Sequence, residues 1–595
     1  MTPTPPPAGI LGTALGDGVA RLASAGPAGL LRAAGALAAA LVIVTRVLPR
    51  VVYPGSRSIA RDRASRLPLP PRRAWLPPLV GDLGLLVSSA RLRLAAEMAA
   101  RYRGTGVVQS FVIGFGTFFF ATDKAAAQEV EAAGATADWP PATKDILGHS
   151  SLIVLQNDRH RAVRRMMLDA LGPRHVAACA PDMARIAREK LSELADRGGG
   201  GSPLRPELAL LSTRIVLECI VGVRLKSHAD LERIVEATAQ IPPSIFAPTQ
   251  WWAPGHHMYR QGLAARATIL ESFRPLVRAA RRAADGAAEG GRHGSDSEQA
   301  GQGGRGGGAE APSTPLMEHG WDGAGIGRGY DGPNFTARMS VGPERLSEDE
   351  LMDQLVLLLF AGADTTVTSM TNLLALLAHH PKWVARLRQE QDELAARHGP
   401  EVTGDVLSEM PVATAVMREA WRLLPPVGGG VRRAGRTTEV NGVQVPAGSK
   451  VVVSLPAVHA ADVLVDTGAS DMAPEDRHSP EERARLGLDP FGLPHLDALR
   501  GFRPERWLGE EGFPRPKHYV PFGFGPRSCI GMNFAMGVVR AFLAVLVREF
   551  EFEVTDRDLT LKPLDVMTVV GTGCPAVVTR RTPGAQGDGR PAASA

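Results

Sequence analysis

The chain has 595 residues, 44% of them hydrophobic and 22% charged, and a formal net charge of +5. That length supplies a large core, and so small a charge excess excludes the strongly basic balance of a nucleic-acid-binding surface. Its four cysteines, Cys179, Cys219, Cys529 and Cys574, are too scattered for a disulfide framework, so a reducing compartment is expected for the folded part.

Asp17 is the one acid among the first 60 residues, against Arg21, Arg32, Arg46, Arg50 and Arg57. Between Arg32 and Arg46 lies an apolar run, Ala33 to Thr45, and the wider stretch Ala28 to Leu48 spans 21 residues. That is enough helix to cross a hydrocarbon layer of about 30 Å. An arginine inside such a span costs about 3 kcal/mol, which makes Arg32 and Arg46 its ends. Residues 1–66 therefore read as a leader: a membrane anchor or an organelle transit segment. As an anchor, the arginines after the run leave the body in the cytosol, on the endoplasmic reticulum. As a transit segment it leads to a plastid or mitochondrion. The prolines of Leu67-Pro68-Leu69-Pro70-Pro71 and Pro77-Pro78 end the leader in a stiff hinge. The globular body is expected over residues 67–582, followed by a disordered tail, 583–595.

Within the body, Asn157-Asp158-Arg159-His160 leads to Arg164, and His160 and Arg164 share a helix face. Residues 203–282 read as mostly helical, interrupted at Ile241-Pro242-Pro243 and at Trp251-Trp252. Those tryptophans are expected as structural wedges, or as the roof of an apolar pocket. From residue 283 to 343 glycine, serine and scattered charge take over, and the segment reads as a disordered insertion. Residues 462–499, rich in Asp, Pro and His, read as a surface insertion.

Ser347 and Glu350 form a capping box, and an apolar pattern runs from there to the stop at Pro381. The helix so marked has about 33 residues, roughly 50 Å at 1.5 Å each, long enough to cross the domain. In its middle stand Ala361-Gly362-Ala363-Asp364-Thr365-Thr366. Glycine there costs about 1 kcal/mol, and an aspartate in an apolar helix costs more unless partnered, so the segment is bent or functional. Further on, Glu419 and Arg422 sit three apart on one helix turn, and Asn441-Gly442 marks a tight hairpin.

The richest stretch is Phe522-Gly523-Phe524-Gly525-Pro526-Arg527-Ser528-Cys529-Ile530-Gly531. Gly523, Gly525 and Gly531 let the backbone approach a flat object and aim amide groups at a sulfur. Those donors, with Arg527, are expected to favour the thiolate of Cys529. A thiolate so held suits the axial position of a haem iron that cleaves O–O bonds.

This loop fits Phe-x-x-Gly-x-Arg-x-Cys-x-Gly, with Ala535 after it, and so resembles the haem-binding signature of the cytochrome P-450 family. The Gly362-Ala363-Asp364-Thr365 helix, His160 with Arg164, and Glu419 with Arg422 match further elements of that family. The resemblance covers roughly residues 68–579 apart from the two insertions. It implies a mainly α fold with a smaller β region, a triangular helical body around buried haem b. Cys529 would ligate the iron, and Arg164, Arg432 and Arg527 would hold the propionates. Phe522 would pack on the thiolate side, and Gly362 would open a groove for dioxygen. Asp364 and Thr365 would relay protons, and Glu419, Arg422 and Arg506 would brace the haem side. The function implied is reductive monooxygenation of a small hydrophobic substrate, consuming O2 and electrons from NADPH. Those electrons would pass through a separate partner, an NADPH–cytochrome reductase or a ferredoxin. Trp139-Pro140, Pro425 to Gly430 and Ile241-Pro242 resemble the branch that oxidises retinoids, sterols and brassinosteroid-like terpenoids. Two rival readings are a peroxide-rearranging isomerase or dehydratase of the same fold, and a non-catalytic haem sensor. The Asp364-Thr365 pair argues against both, since neither needs proton delivery.

Overall fold

The computed structural model describes residues 105–112, 116–198, 201–225, 227–253, 255–293, 335–340, 345–463, 501–513, 515–556 and 573–581. It also describes the short stretches 67–70, 321–322, 562–564 and 568–570, and the single positions 35 and 39. The leader and hinge, the 462–499 insertion beyond Val463, and the tail otherwise lie outside the described residues.

Two segments far apart in the chain build one sheet. Val107–Val112 (β1) and Gly116–Ala121 (β2) pair antiparallel, and Thr136–Ala137 (β3) follows shortly. Gly429–Arg433 (β4) and Lys450–Ser454 (β5) come some three hundred residues later, and complete the order β1-β2-β5-β4-β3. Strand β5 lies parallel to β2 and antiparallel to β4. Only glycine fits at position 429, where φ is +136° and a Cβ would come 1.9 Å from the Val453 carbonyl oxygen. Val107, Phe119, Val451 and Val453 bury one apolar face of the sheet. Between β4 and β5, Asn441 and Gly442 both take positive φ and close the hairpin of Thr438–Val440 with Val443–Val445.

The helical body is larger. Its main members are Asn157–Ala170 (α1), Pro173–Arg197 (α2), Leu204–Ile215 (α3) and His256–His293 (α4). They are followed by Glu348–Ala378 (α5), Pro411–Leu423 (α6), Leu455–Val463 (α7) and Met532–Glu549 (α8). Helix α3 continues into a π-helical segment, Val216–Val221. Helix α5 is the axis: α3, α4, α6 and α8 all pack against it, and α8 packs in turn on α2. Both bonds of the Ser347/Glu350 capping box are present at its start. Its 31 residues are apolar enough to cross a membrane, but 78% of the apolar window is buried inside the fold, as in a core helix.

Two expectations need correction. The segment from 283 onward is not all insertion. Helix α4 continues to His293, and Phe335–Met339 forms a short helix whose Phe335 and Met339 join the main core. An i,i+4 pair of large apolar side chains is enough to fasten a short turn, whatever the composition around it. Trp251 and Trp252 are neither wedges nor a roof, being 82% and 49% exposed. The expected breaks near them do occur, as the short helix Ile241–Ser244 and the gap before α4.

Candidate active site

Helix α5, the Phe522–Gly531 loop, α1 and the β4 edge enclose one internal cavity of about 380 Å³. Cys529 is surrounded by protein on every side, yet its surface is open, because what it faces is this cavity. Ala361, Gly362, Asp364, Thr365, Thr366 and Ser369 of α5 line the same space, as do Arg164, Arg432, Arg527, Phe522, Gly523 and Gly531. The sequence-predicted cofactor residues therefore meet on one cavity, with one exception. Gly525 sits in the adjoining turn, where φ is +66°, and not among the cavity-lining residues.

The loop holds its shape through its own backbone. Gly523 N–H donates to Val520 O at 2.9 Å, and Cys529 N–H donates to Phe522 O at 2.8 Å. Phe522 is braced edge-on by Trp421 of α6, with ring centroids 5.2 Å apart. Arg164 reaches across from α1 to Ser528, donating to its carbonyl at 2.7 Å and its hydroxyl at 2.9 Å.

Two expectations about charge change here. Arg527 does not serve the cysteine. It donates to Leu155 O and to Gln156 Oε1, both at 2.6 Å, and the cation acting on Cys529 is Arg164. Burial also outweighs the favourable groups, a Gly531 N–H and Arg164, so the Cys529 thiol is pushed up rather than down. A metal held at Cys529 would displace that proton, because thiolate ligands bind deprotonated.

Arg527 itself is lowered to about 10 by burial, and by the neighbouring Arg432 and Arg164, with Glu131 opposing. Arg432 is ion-paired to Glu131, whereas Arg433 turns away to Asp138 at 2.9 Å. His160, buried beside Arg527 and Arg164, is lowered to about 4 and is neutral. Three guanidiniums against one carboxylate leave this corner in want of anions. A flat cofactor carrying two carboxylates, with its metal toward Cys529, fits the arrangement of sulfur, glycines and cations.

On α5, the Thr365 hydroxyl donates to Ala361 O at 2.6 Å, which turns its lone pairs toward the cavity. Ser212 donates to Gly362 O at 3.2 Å. Glycine at 362 has a packing cause: a Cβ there would come 2.9 Å from Cγ2 of Val216 in the π-helical segment. Asp364 is ion-paired with Arg205 of α3, which also donates to Thr368 at 3.1 Å. No spacing in the sequence pointed to Arg205.

The bracing set lies behind the loop. Glu419 is fully buried and accepts from Arg422 at 2.7 and 2.9 Å, from the Arg503 amide at 3.0 Å and from the Trp507 indole at 2.9 Å. Arg506 approaches it at 3.4 Å. Breaking such a buried cluster at one partner costs about 3–5 kcal/mol.

Comparison with known proteins now bears on the identity. The family model described as Cytochrome P-450 matches residues 328–463 and 500–573, which contain α5, the Glu419 cluster and the cysteine loop. The chain belongs to the cytochrome P-450 family. Cytochrome P-450 26A1 of Gallus gallus is 26% identical over 440 residues, 71% of this chain and 73% of that relative. Cytochrome P-450 26B1 of Danio rerio is 24% identical over 436 residues, 71% of this chain and 70% of that relative. A retinoic acid-bound cyanobacterial CYP120A1 structure shares the fold with a TM-score of 0.62 and 20% identity, covering 87% of this chain and 100% of its own. The cytochrome P-450DA haem domain does so at 0.64 and 19%, covering 87% and 99%. As a cytochrome P-450 the protein is a haem monooxygenase with a mainly α fold.

Proposed function

We propose that this monooxygenase hydroxylates a hydrophobic substrate of the isoprenoid, sterol, retinoid or carotenoid kind, with Cys529 as the iron ligand. The observation that carries the substrate class is the cavity wall beyond α5 and Cys529. Leu152, Ile153, Leu171, Ile220, Pro242 and Leu357 make it apolar, with Thr366 and Ser369 among its polar points. The retinoic acid-bound cyanobacterial structure, which shares the fold, supports an isoprenoid acid or a similar chain.

When bound, haem would supply an iron that takes electrons and activates dioxygen. The chain's own residues do the rest. The apolar wall excludes water and holds the substrate against Thr365. Thr365 orients a water at its hydroxyl oxygen, and the Asp364 carboxylate, between Arg205 and the cavity, carries protons toward it. Electrons come from NADPH through a reductase or a ferredoxin, with the protein membrane-associated, on the endoplasmic reticulum or in a plastid or mitochondrion.

Spectral titration of the ferric haem-loaded protein with retinoids, carotenoids, sterols and fatty acids tests the class. An isoprenoid should displace the iron-bound water and convert the spectrum at micromolar concentration. Conversion by fatty acids alone would overturn the assignment. Turnover should require NADPH, a redox partner and O2, and incorporate one labelled oxygen atom. Product formed from a hydroperoxide without reductant would instead establish the isomerase reading.

A further inference from the structure

His459 stands outside every motif of the sequence and belongs to no wall of the cavity, yet it is 1% exposed in the middle of α7. Its two ring nitrogens have different partners. Nδ1 is 3.1 Å from the Arg422 carbonyl oxygen, which can only accept, so Nδ1 carries the proton. Nε2 is then the acceptor for the Val520 amide, also at 3.1 Å. The ring is held neutral, because burial lowers it to about 3 with Arg422 nearby. Tyr519 stacks on one face at 5.7 Å and 20° and in turn packs on Trp507.

Followed along the chain, these bonds connect two parts of the molecule. The Arg422 side chain is fixed to Glu419 and to Gly501 O, and its carbonyl is fixed by His459. His459 holds the Val520 amide, Val520 O holds the Gly523 amide, and Phe522 O holds the Cys529 amide. We propose that His459 is a positioning residue for the thiolate: through Nε2 it anchors Val520, two residues before the cysteine loop, to the Glu419–Arg422 brace. The loop is rich in glycine and needs an outside anchor to hold one conformation. Val520, buried and followed by Pro521, is where the fold provides it.

The inference rests on Cys529 as the iron ligand. Were it not, the unmutated protein would already lack a thiolate-type ferrous–CO band, so the two failures are distinguishable. His459→Gln places its amide oxygen near the Nε2 position and keeps the Val520 bond. His459→Asn places its amide near Nδ1 and keeps only the Arg422 bond, and His459→Leu keeps neither. The measurement is the rate at which each haem-loaded protein loses the thiolate-type band to the neutral-thiol type under mild denaturant. The Gln variant should stay within about twofold of the parent, and the Asn and Leu variants should convert about tenfold faster, the worth of one buried hydrogen bond. Equal rates for Gln and Asn would reduce His459 to a structural residue and overturn the proposal, as would a stable band in Leu. Hydrogen exchange on the unmutated protein gives an arm that needs no variant. The Val520 amide should be protected like those of α8, and exchange at the speed of an exposed loop would equally refute the anchor.

Discussion

At the scale of single residues, Asp364 and Thr365 do different work and should fail differently. Asp364 sits between Arg205 and the cavity, while Thr365 has its hydroxyl hydrogen committed to Ala361 O. Asp364→Asn keeps size and polarity but removes the carboxylate proposed to move protons. Turnover should fall about 100-fold, the usual worth of a positioned acid or base, with haem content and substrate affinity unchanged. Thr365→Ala removes the group that orients water, so electrons should still be consumed but appear as peroxide. The ratio of product to NADPH consumed, read beside peroxide release, separates the two. Loss of substrate affinity in either variant would move that residue from proton handling to binding.

At the scale of elements, the central fact is how closely the π-helical segment rides on α5. Gly362→Ala gains about 1 kcal/mol of helix propensity but sets a Cβ 2.9 Å from Val216 Cγ2. Overpacking of that kind costs about 1–3 kcal/mol, so the variant should be destabilised on balance. Val216→Ala should restore the unfolding midpoint in the double variant, a coupling a thermal melt can read. Independent, additive effects would show that the glycine is not required by this contact. Elements such as α5 were legible in the sequence because their signals are local: a capping box at Ser347, a stop at Pro381, and an apolar pattern between them. The hairpin at Asn441-Gly442 and the cysteine loop were legible for the same reason. Arg205 and His459 were not, because each acts on a partner far along the chain, 159 residues away for Asp364 and 61 for Val520. The expected effect of Arg527 on Cys529 failed for a related cause. Sequence places the two residues side by side, but the guanidinium turns to carbonyls near residue 155.

At the scale of the whole molecule, the buried histidines set a dependence of stability on pH. His380 and His459 are each lowered to about 3 by burial, with neighbouring cations adding to it. An unfolded histidine titrates near 6.5, so between 6.5 and 3 the unfolded chain binds the extra proton. The stability these residues contribute is therefore complete above pH 6.5 and is lost as pH falls below it. Each lost proton difference is worth about 1.4 kcal/mol per pH unit, so these two together with His160, lowered to about 4, give a slope of about 4 kcal/mol per unit. His175 has the opposite sign. Burial acts to lower it, but Cys179 and the Cys219 carbonyl raise it overall. Its contribution is complete below 6.5 and fades above, so it adds no slope on the acid side. Carboxylates lowered by ion pairs, such as Glu218 and Glu348, begin to lose stability only below about 4.5. The window from pH 6 to 5 is thus dominated by the histidines, with Glu390, raised by burial, acting in the opposite sense. The urea midpoint of the haem-loaded protein should fall steadily across it, and His380→Phe should flatten the fall by about a third, because the replacement keeps a ring against Phe502 without a titrating group. A midpoint that stays level across that window would mean that these rings find a proton acceptor inside the fold.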